Sequence, residues 1–436
     1  MKTPVFDFVK GYSQKHTVRM HMPGHKGSGK IGVEALDITE IGGADVLYDA
    51  KGIIFESMQN ASRLFGTKKT VFSTEGSSLS IRAMLFLIKK YALSLGKAPT
   101  VLAARNVHST FITASALLDI DVKWMYADGS SVLSCPVTPE ALEEYIKSTR
   151  PVAVYITSPD YLGNIADIEK LSKVCKRYGC ILAVDNAHGA YLKFLKKDIH
   201  PITLGADICC DSAHKTLPVL TGGGYLHISE NAPEFFSENA VSAMKMFAST
   251  SPSYLILASL DKANEYMNGL DLSFLQEKIK TFKAELPIKT VGDEPLKITL
   301  CPKEYGYTGE EIAEILQQNG IVAEFFDRDF CVLMIGYDQL KELDKLKEVL
   351  SSVLQKESIC ILPPSFERCE RVMSIKDAIF SNSETVDVKN ALGRVLSSPA
   401  VSCPPAVSVA VCGERLNSSA IKLLEYYSID KIDVIK

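Results

Sequence analysis

The sequence predicts an α/β fold: a large unit on a mainly parallel sheet, then a smaller α/β unit and a C-terminal extension. Two observations carry that expectation. Short apolar runs alternate with helical patterns through the middle of the chain, the rhythm of a parallel sheet covered on both faces. The chain is also 436 residues long, more than one compact core holds, so two or three domains are expected.

The elements follow in order. "SSLSIRAMLFLIKKYAL" (77–93) starts with serines suited to capping and puts Ile81, Met84, Leu85 and Ile88 on one helical face. "TVLAARN" (100–106), "VAVYITSP" (152–159), "CILAVDN" (180–186) and "ADICCD" (206–211) read as buried strands. Between them, "TPEALEEYIKS" takes Thr138 as its cap with Pro139 in the first turn. "DIEKLSKVCKRYG" opens at Asp167 and closes at Gly179. Residues 1–265 are assigned to the N-terminal segment and large domain. In 266–357 the texture changes to "LKITLC", the helical "TGEEIAEILQQNG" with a Thr308–Glu311 capping box, "IVAEFF", "CVLMI" and the helical "DQLKELDKLKEVLSSVL". The tail, 358–436, is less regular and richer in proline and serine.

Composition narrows the function. The chain is 46% hydrophobic and 23% charged, an ordinary globular balance, and its net charge of −4 offers no pull toward nucleic acid or anionic lipid. No apolar stretch is long enough to span a bilayer. The opening "MKTPVFDFVKGYSQKH" lacks the apolar core of a signal sequence. Eleven cysteines without a repeated short spacing point to free thiols in a reducing cytoplasm. A cytoplasmic protein acting on a small molecule is expected.

Ligands of such sheets lie beyond the carboxyl ends of the strands, and that edge carries the chemistry. "ADICCDSAHKTLPVLTGGGYLHIS" (206–229) places Lys215 just past a buried strand, although lysine resists burial unless paired or shifted in pKa. "AVDNAHGAY" (183–191) places Asp185 at another strand end. A lysine and an acid on neighbouring strand ends suit pyridoxal 5′-phosphate, which needs a lysine for its Schiff base and a carboxylate at its pyridine nitrogen. "TEGSSLSIR" supplies Gly76, Ser77 and Ser78 at a helix start, where backbone amides suit a phosphate. Ser212 and His214 are further donors, and His108 in "ARNVHST" is a ring able to stack on the pyridine. Each has a plainer alternative: a salt bridge for the Asp–Lys pair, a helix cap for the serines, a core or surface role for His108. Four strand ends offering donors, ring, acid and lysine in that order favour the cofactor.

With these motifs in hand, the chain resembles the bacterial ornithine/lysine/arginine decarboxylase family, which are fold-type-I, aspartate aminotransferase-like enzymes using pyridoxal phosphate. "HMPGHKG" (21–27), "DVLYDAKGIIFESMQNASRLFG" (45–66), "SAHKTLPVLTGGGYLHI" and "ALGRVLSSPAVSCPPAVSVAVCGERL" carry the resemblance, which covers nearly the whole chain. It implies that Lys215 is the Schiff-base lysine and Asp185 the pyridinium partner. Ala187 would lie against the ring, His108 would stack on it, and His188 would lie near it. Gly76, Ser77, Ser78, Ser212 and His214 would hold the phosphate. It implies α-decarboxylation of arginine, lysine or ornithine toward polyamines, with Lys215 or a nearby histidine as proton donor, in a homodimer or larger assembly. Glu324, Asp327 and Asp329 in "VAEFFDRDF" are candidates for the substrate's distal group, although a solvated acidic loop is the plainer reading of them, and the acid can also come from the partner chain.

Three positions depart from the family pattern: Glu75 and Ser80 stand where asparagine is usual, and "CPPAVS" (403–408) replaces "YPPGIP". An acid at Glu75 is expected to turn away from a phosphate. A short, biosynthetic-type member without a receiver-like domain before the core is expected. His21 and His25 are spaced like a metal pair, but Pro23 and Gly24 break the helix that spacing needs, so no metal site is expected. The competing readings are an aminotransferase, a carbon–sulfur lyase, or a non-catalytic homologue. An aminotransferase usually offers an arginine for the α-carboxylate, and Arg328, Arg368, Arg371 and Arg394 are available.

Overall fold

The computed structural model describes residues 1–127, 134–402 and 407–436, so residues 403–406 of the "CPPAVS" stretch lie outside the described residues. Seven strands form the central sheet: β1 (Lys69–Ser73), β2 (Thr100–Ala104), β3 (Asp121–Met125), β4 (Ala153–Thr157), β5 (Ile181–Asp185), β6 (Ile208–Asp211) and β7 (Gly224–Ile228). Their spatial order is β1-β7-β6-β5-β4-β2-β3. From β6 to β3 every pairing is parallel, whereas β7 runs antiparallel to both β6 and β1. The four strands expected from the apolar runs are all present, and their side chains are almost wholly buried, as a sheet covered on both faces requires.

Helices cover the two faces. In chain order they are α1 (Pro4–Ser13), α2 (Ile53–Phe65), α3 (Gly76–Ser94), α4 (Ser109–Leu117), α5 (Pro139–Thr149), α6 (Ile168–Arg177), α7 (Ala213–Thr216), α8 (Glu234–Phe247) and α9 (Tyr254–Met267). Thr138 and Asp167 cap α5 and α6 by accepting from Ala141 N–H and Lys170 N–H. Gly179 follows α6 with φ +65°, a backbone that glycine adopts without the Cβ penalty. The buried Leu171, Val174 and Cys175 of α6 pack with Leu142 and Ile146 of α5 against Leu182 and Val184 of β5. Each such apolar side chain contributes roughly 1.5–3 kcal/mol by leaving water.

One capping expectation fails. The helix beginning "GSSLS" starts at Gly76 with Glu75 before it and has no side-chain cap, so Ser77 and Ser78 lie inside its first turn. Gly76 N–H donates to the Gly222 carbonyl at 2.6 Å, which leaves the next amides of the first turn, those of Ser77 and Ser78, for another acceptor. Ile81, Met84, Leu85 and Ile88 are buried as the periodicity requires.

A second, four-stranded sheet follows, built from β8 (Thr290–Val291), β9 (Lys297–Leu300), β10 (Phe325–Phe326) and β11 (Cys331–Met334), in the order β10-β11-β9-β8. The Thr308–Glu311 capping box forms as expected and opens a helix at Gly309. "IVAEFF" shortens to the two-residue β10, because only that end pairs with β11. The chain's last part packs its own core around Leu396, Val409, Leu423 and Val434. It is tied to the large sheet by Arg105, at the end of β2, which forms a bidentate pair with Glu414 at 2.8 and 2.6 Å. No helix among the described residues is long and apolar enough to cross a membrane, and all described cysteines are free thiols.

Candidate active site

The carboxyl ends of β2, β4, β5 and β6 and the loop after β1 open into a cavity of about 680 Å³. Gly76, Ser77, Ser78, His108, Asp185, Ala187, His188, Ser212, His214 and Lys215 all line it. Their convergence follows from the topology: in a parallel sheet, successive strands deliver their following loops to one edge.

Asp185 is the last residue of β5 and is 2% exposed. Its Oδ2 accepts from Tyr155 OH at 3.1 Å, and Oδ1 accepts from Ala187 N–H at 3.2 Å and the Cys210 thiol at 3.6 Å. Among the described residues it makes no ion pair, so the salt-bridge alternative has no partner here. Lys215 sits in the short helical turn α7, just beyond β6. Its Nζ is 3.1 Å from His188 Nε2. The amine is open to the cavity yet ringed by protein. That partial desolvation lowers its pKa from the ordinary lysine value, against the pull of Asp185 and Glu324. His188 is buried, and desolvation, with the Lys297 and Lys215 ammoniums, drives its pKa well below the usual histidine range.

The phosphate-side residues also meet. Ser212 Oγ donates to Ser77 Oγ at 2.7 Å, and Thr110 Oγ1 donates to Ser78 Oγ at 3.2 Å. His214 Nδ1 donates to the Gly223 carbonyl at 2.9 Å. His108 precedes α4, where its Nδ1 accepts from Thr110 N–H at 3.2 Å, which holds the ring on the cavity wall. Glu75 reaches away to accept from Ser249 N–H at 2.8 Å, as expected of an acid beside a phosphate site. The Gly222–Gly224 run allows close backbone approach: a Cβ on Gly224 would lie 2.8 Å from the Asp211 carbonyl and 3.1 Å from the Gly76 backbone.

Three cavity-lining residues carry buried polar atoms without a protein partner among the described residues: Asn106 Oδ1, Thr157 Oγ1 and His188 Nδ1. Buried polar groups are rarely left so, and their clustering here fits a polar ligand. First-turn amides and serines for a phosphate, a buried carboxylate and a desolvated amine fit pyridoxal phosphate in particular.

Other expectations separate. Asp327 caps a turn through Asp329 and Phe330 N–H groups, and Asp329 accepts from Tyr426 and Tyr427, so both are committed to structure. Glu324 alone of the three approaches the cavity, accepting from Tyr161 OH at 3.2 Å. His21 pairs with Tyr12 OH and His25 with Asp37. Buried His200, Cys209 and Asp211 lie close enough to hold an ion. Asp211 is already satisfied by His200, His227 and Asn186, and Ile202 N–H occupies His200 Nδ1.

Sequence reasoning missed Tyr155, Thr110, Tyr161 and Phe325. Tyr155 alone left a signal, a phenol inside the otherwise aliphatic "VAVYI" strand.

A doubly covered sheet whose edge joins a lysine, a buried acid and a serine-bearing helix start defines a fold-type-I pyridoxal-phosphate enzyme. A family model described as "Orn/Lys/Arg decarboxylase, major domain" matches residues 3–291, and the chain belongs to that family. It is a pyridoxal phosphate-dependent amino-acid decarboxylase, in a family of basic amino-acid decarboxylases. An arginine decarboxylase of Halalkalibacterium halodurans is 28% identical, the match covering 96% of this chain and 92% of that protein. "Uncharacterized protein YaaO" of Bacillus subtilis is 26% identical over 97% of this chain and 94% of its own. Lysine decarboxylase A from Pseudomonas aeruginosa shares the fold, with a TM-score of 0.80 at 17% identity, over 99% of this chain and 80% of that one.

Proposed function

We propose that the protein removes the α-carboxylate of arginine, lysine or ornithine, yielding an amine of the kind that feeds polyamine formation. The observation that carries this reading is the meeting of Asp185, Lys215 and His188 in one cavity, with Glu324 beside it on Tyr161. Lys215 anchors the cofactor, and its lowered pKa favours the neutral amine that attachment requires. Asp185 holds the pyridine nitrogen protonated. The bound cofactor supplies an electron sink for the pair left at Cα when carbon dioxide departs. His108 would stack on the ring, Ala187 would lie against it, and Gly76, Ser77, Ser78, Ser212 and His214 would hold the phosphate. Lys215 Nζ returns a proton to Cα, oriented by His188 Nε2. Glu324 recognises the distal cation.

The arginine an aminotransferase would use is not at hand. Arg328 donates to the Tyr426 carbonyl, Arg371 to Val122 and Met373 carbonyls, and Arg394 to Glu384. Arg368 lies over the Tyr126 ring, and none of the four lines the cavity among the described residues. A carboxylate that must leave gains nothing from a tight cationic clamp, because such a clamp stabilises the ground state.

We further propose a cytoplasmic homodimer or larger assembly, built from units 1–265, 266–357 and 358–436. Exposed Val18, Met20, Met22 and Ile31 in the N-terminal segment support such an interface. The deciding experiment incubates the pure protein with pyridoxal phosphate and each basic amino acid, measuring carbon dioxide and keto acid. Carbon dioxide from one of the three without keto acid is expected. Keto acid, or neither product, would overturn the reading. Sedimentation at assay concentration checks the assembly, for which a monomer with full activity is the contrary result.

A further inference from the structure

Tyr155 lies on β4 and pairs across the ladder with Ala183, two residues before Asp185 on β5. The offset is a diagonal on one sheet face, within reach of a long aromatic side chain. The Tyr155 ring is fully buried, 4.4 Å from the Phe111 ring, and its hydroxyl donates to Asp185 Oδ2. A phenylalanine would fill the same space, so packing alone does not account for the hydroxyl. The Ala187 amide and the Cys210 thiol occupy the other carboxylate oxygen. Together the three donors fix the carboxylate's rotation and offset the cost of burying an anion.

We infer that Tyr155 is a positioning residue that holds the Asp185 carboxylate aimed at the cofactor's pyridine nitrogen, so that the proton between them stays on that nitrogen. The inference rests on the reading of Asp185 given above. A donor on the carboxylate stabilises the ion pair over the alternative with the proton on Asp185. Burial and the Asp185 charge push the Tyr155 phenol far above its ordinary pKa, so it remains a donor at any working pH.

The test compares wild type, Tyr155→Phe, Asp185→Asn and the double variant. Three readouts are used: the nitrogen chemical shift of ¹⁵N-labelled pyridoxal phosphate, affinity of the apoprotein for pyridoxal phosphate, and turnover. Tyr155→Phe should keep its Tm, move the nitrogen signal toward the neutral position, weaken cofactor affinity and lower kcat about 10-fold with little change in KM. In the Asp185→Asn background the same change should cost nothing further. An unmoved nitrogen signal with normal kcat, or an equal loss in both backgrounds, overturns the inference, since either would give Tyr155 only a structural role. If Asp185→Asn itself retains a protonated nitrogen and normal turnover, the Asp185 reading fails and the inference falls with it.

Discussion

Lys215 Nζ and His188 Nε2 stand 3.1 Å apart, joining the turn after β6 to the loop after β5. Among the described residues His188 has no other hydrogen-bond partner on its ring, since Nδ1 is buried and unpaired. Its pKa lies well below the ordinary histidine value through burial, so it accepts from Lys215 as a neutral imidazole.

His188→Ala should therefore leave the cofactor attached but the amine poorly directed. A hydrogen bond to a charged group contributes about 1.5–3 kcal/mol, so kcat should fall about 10–100-fold. Borohydride reduction should still fix pyridoxal phosphate to the peptide containing Lys215. Because the folded pKa is depressed, His188 contributes stability that is intact above about pH 6.5 and is lost as pH falls toward the folded value. The Tm of the alanine variant should accordingly fall less steeply than wild type on acidification below that pH. Turnover within 2-fold of wild type would remove His188 from the proposed chemistry.

Glu324→Gln keeps the shape and removes the charge beside Tyr161. If Glu324 receives the substrate's distal cation, KM for the preferred basic amino acid should rise about 10–100-fold with a smaller change in kcat. Discrimination against norleucine, which lacks the cation, should shrink in parallel. Unchanged discrimination would assign distal recognition to another group.

Arg105 and Glu414 have side chains only 1% and 3% exposed, and each would be a stranded charge without the other. Glu414→Gln should destabilise by about 3–5 kcal/mol, whereas Arg105→Met with Glu414→Leu should recover most of the loss. Asn106 and His108 follow Arg105 directly on the cavity wall, so the single variant should also weaken cofactor binding. Chemical denaturation of the three proteins decides this, and a double variant as unstable as the single would contradict it.

Asp261 tests burial from the other side. It accepts from Val5 and Phe6 N–H and from Ser57, yet desolvation raises its pKa to about 6. A carboxyl raised from about 3.9 in the unfolded chain costs stability as pH climbs toward 6, and the cost is complete above it. Asp261→Asn lacks that cost, so its Tm relative to wild type should improve between pH 4.5 and pH 7.5. A difference independent of pH would show that Asp261 ionises normally.

Much of this was legible in the chain itself. The central strands, the caps at Thr138 and Asp167 and the Thr308–Glu311 box depend on residues within one turn or one strand of each other, so local pattern determined them. The order in which Ser77, His108, Asp185 and Lys215 reach the sheet edge follows from the same alternation, because parallel strands leave little choice of side. Boundaries set by pairing were not legible. "IVAEFF" looks like a strand throughout, but among the described residues only Phe325 and Phe326 have ladder partners, Val332 and Cys331. Tertiary structure alone decided that Tyr155 donates to Asp185, that Arg105 meets Glu414 309 positions along the chain, and that Glu324 rather than Asp327 or Asp329 approaches the cavity. Such contacts join segments whose spacing in sequence carries no record of their distance in space. Their energy appears only when both partners are buried together.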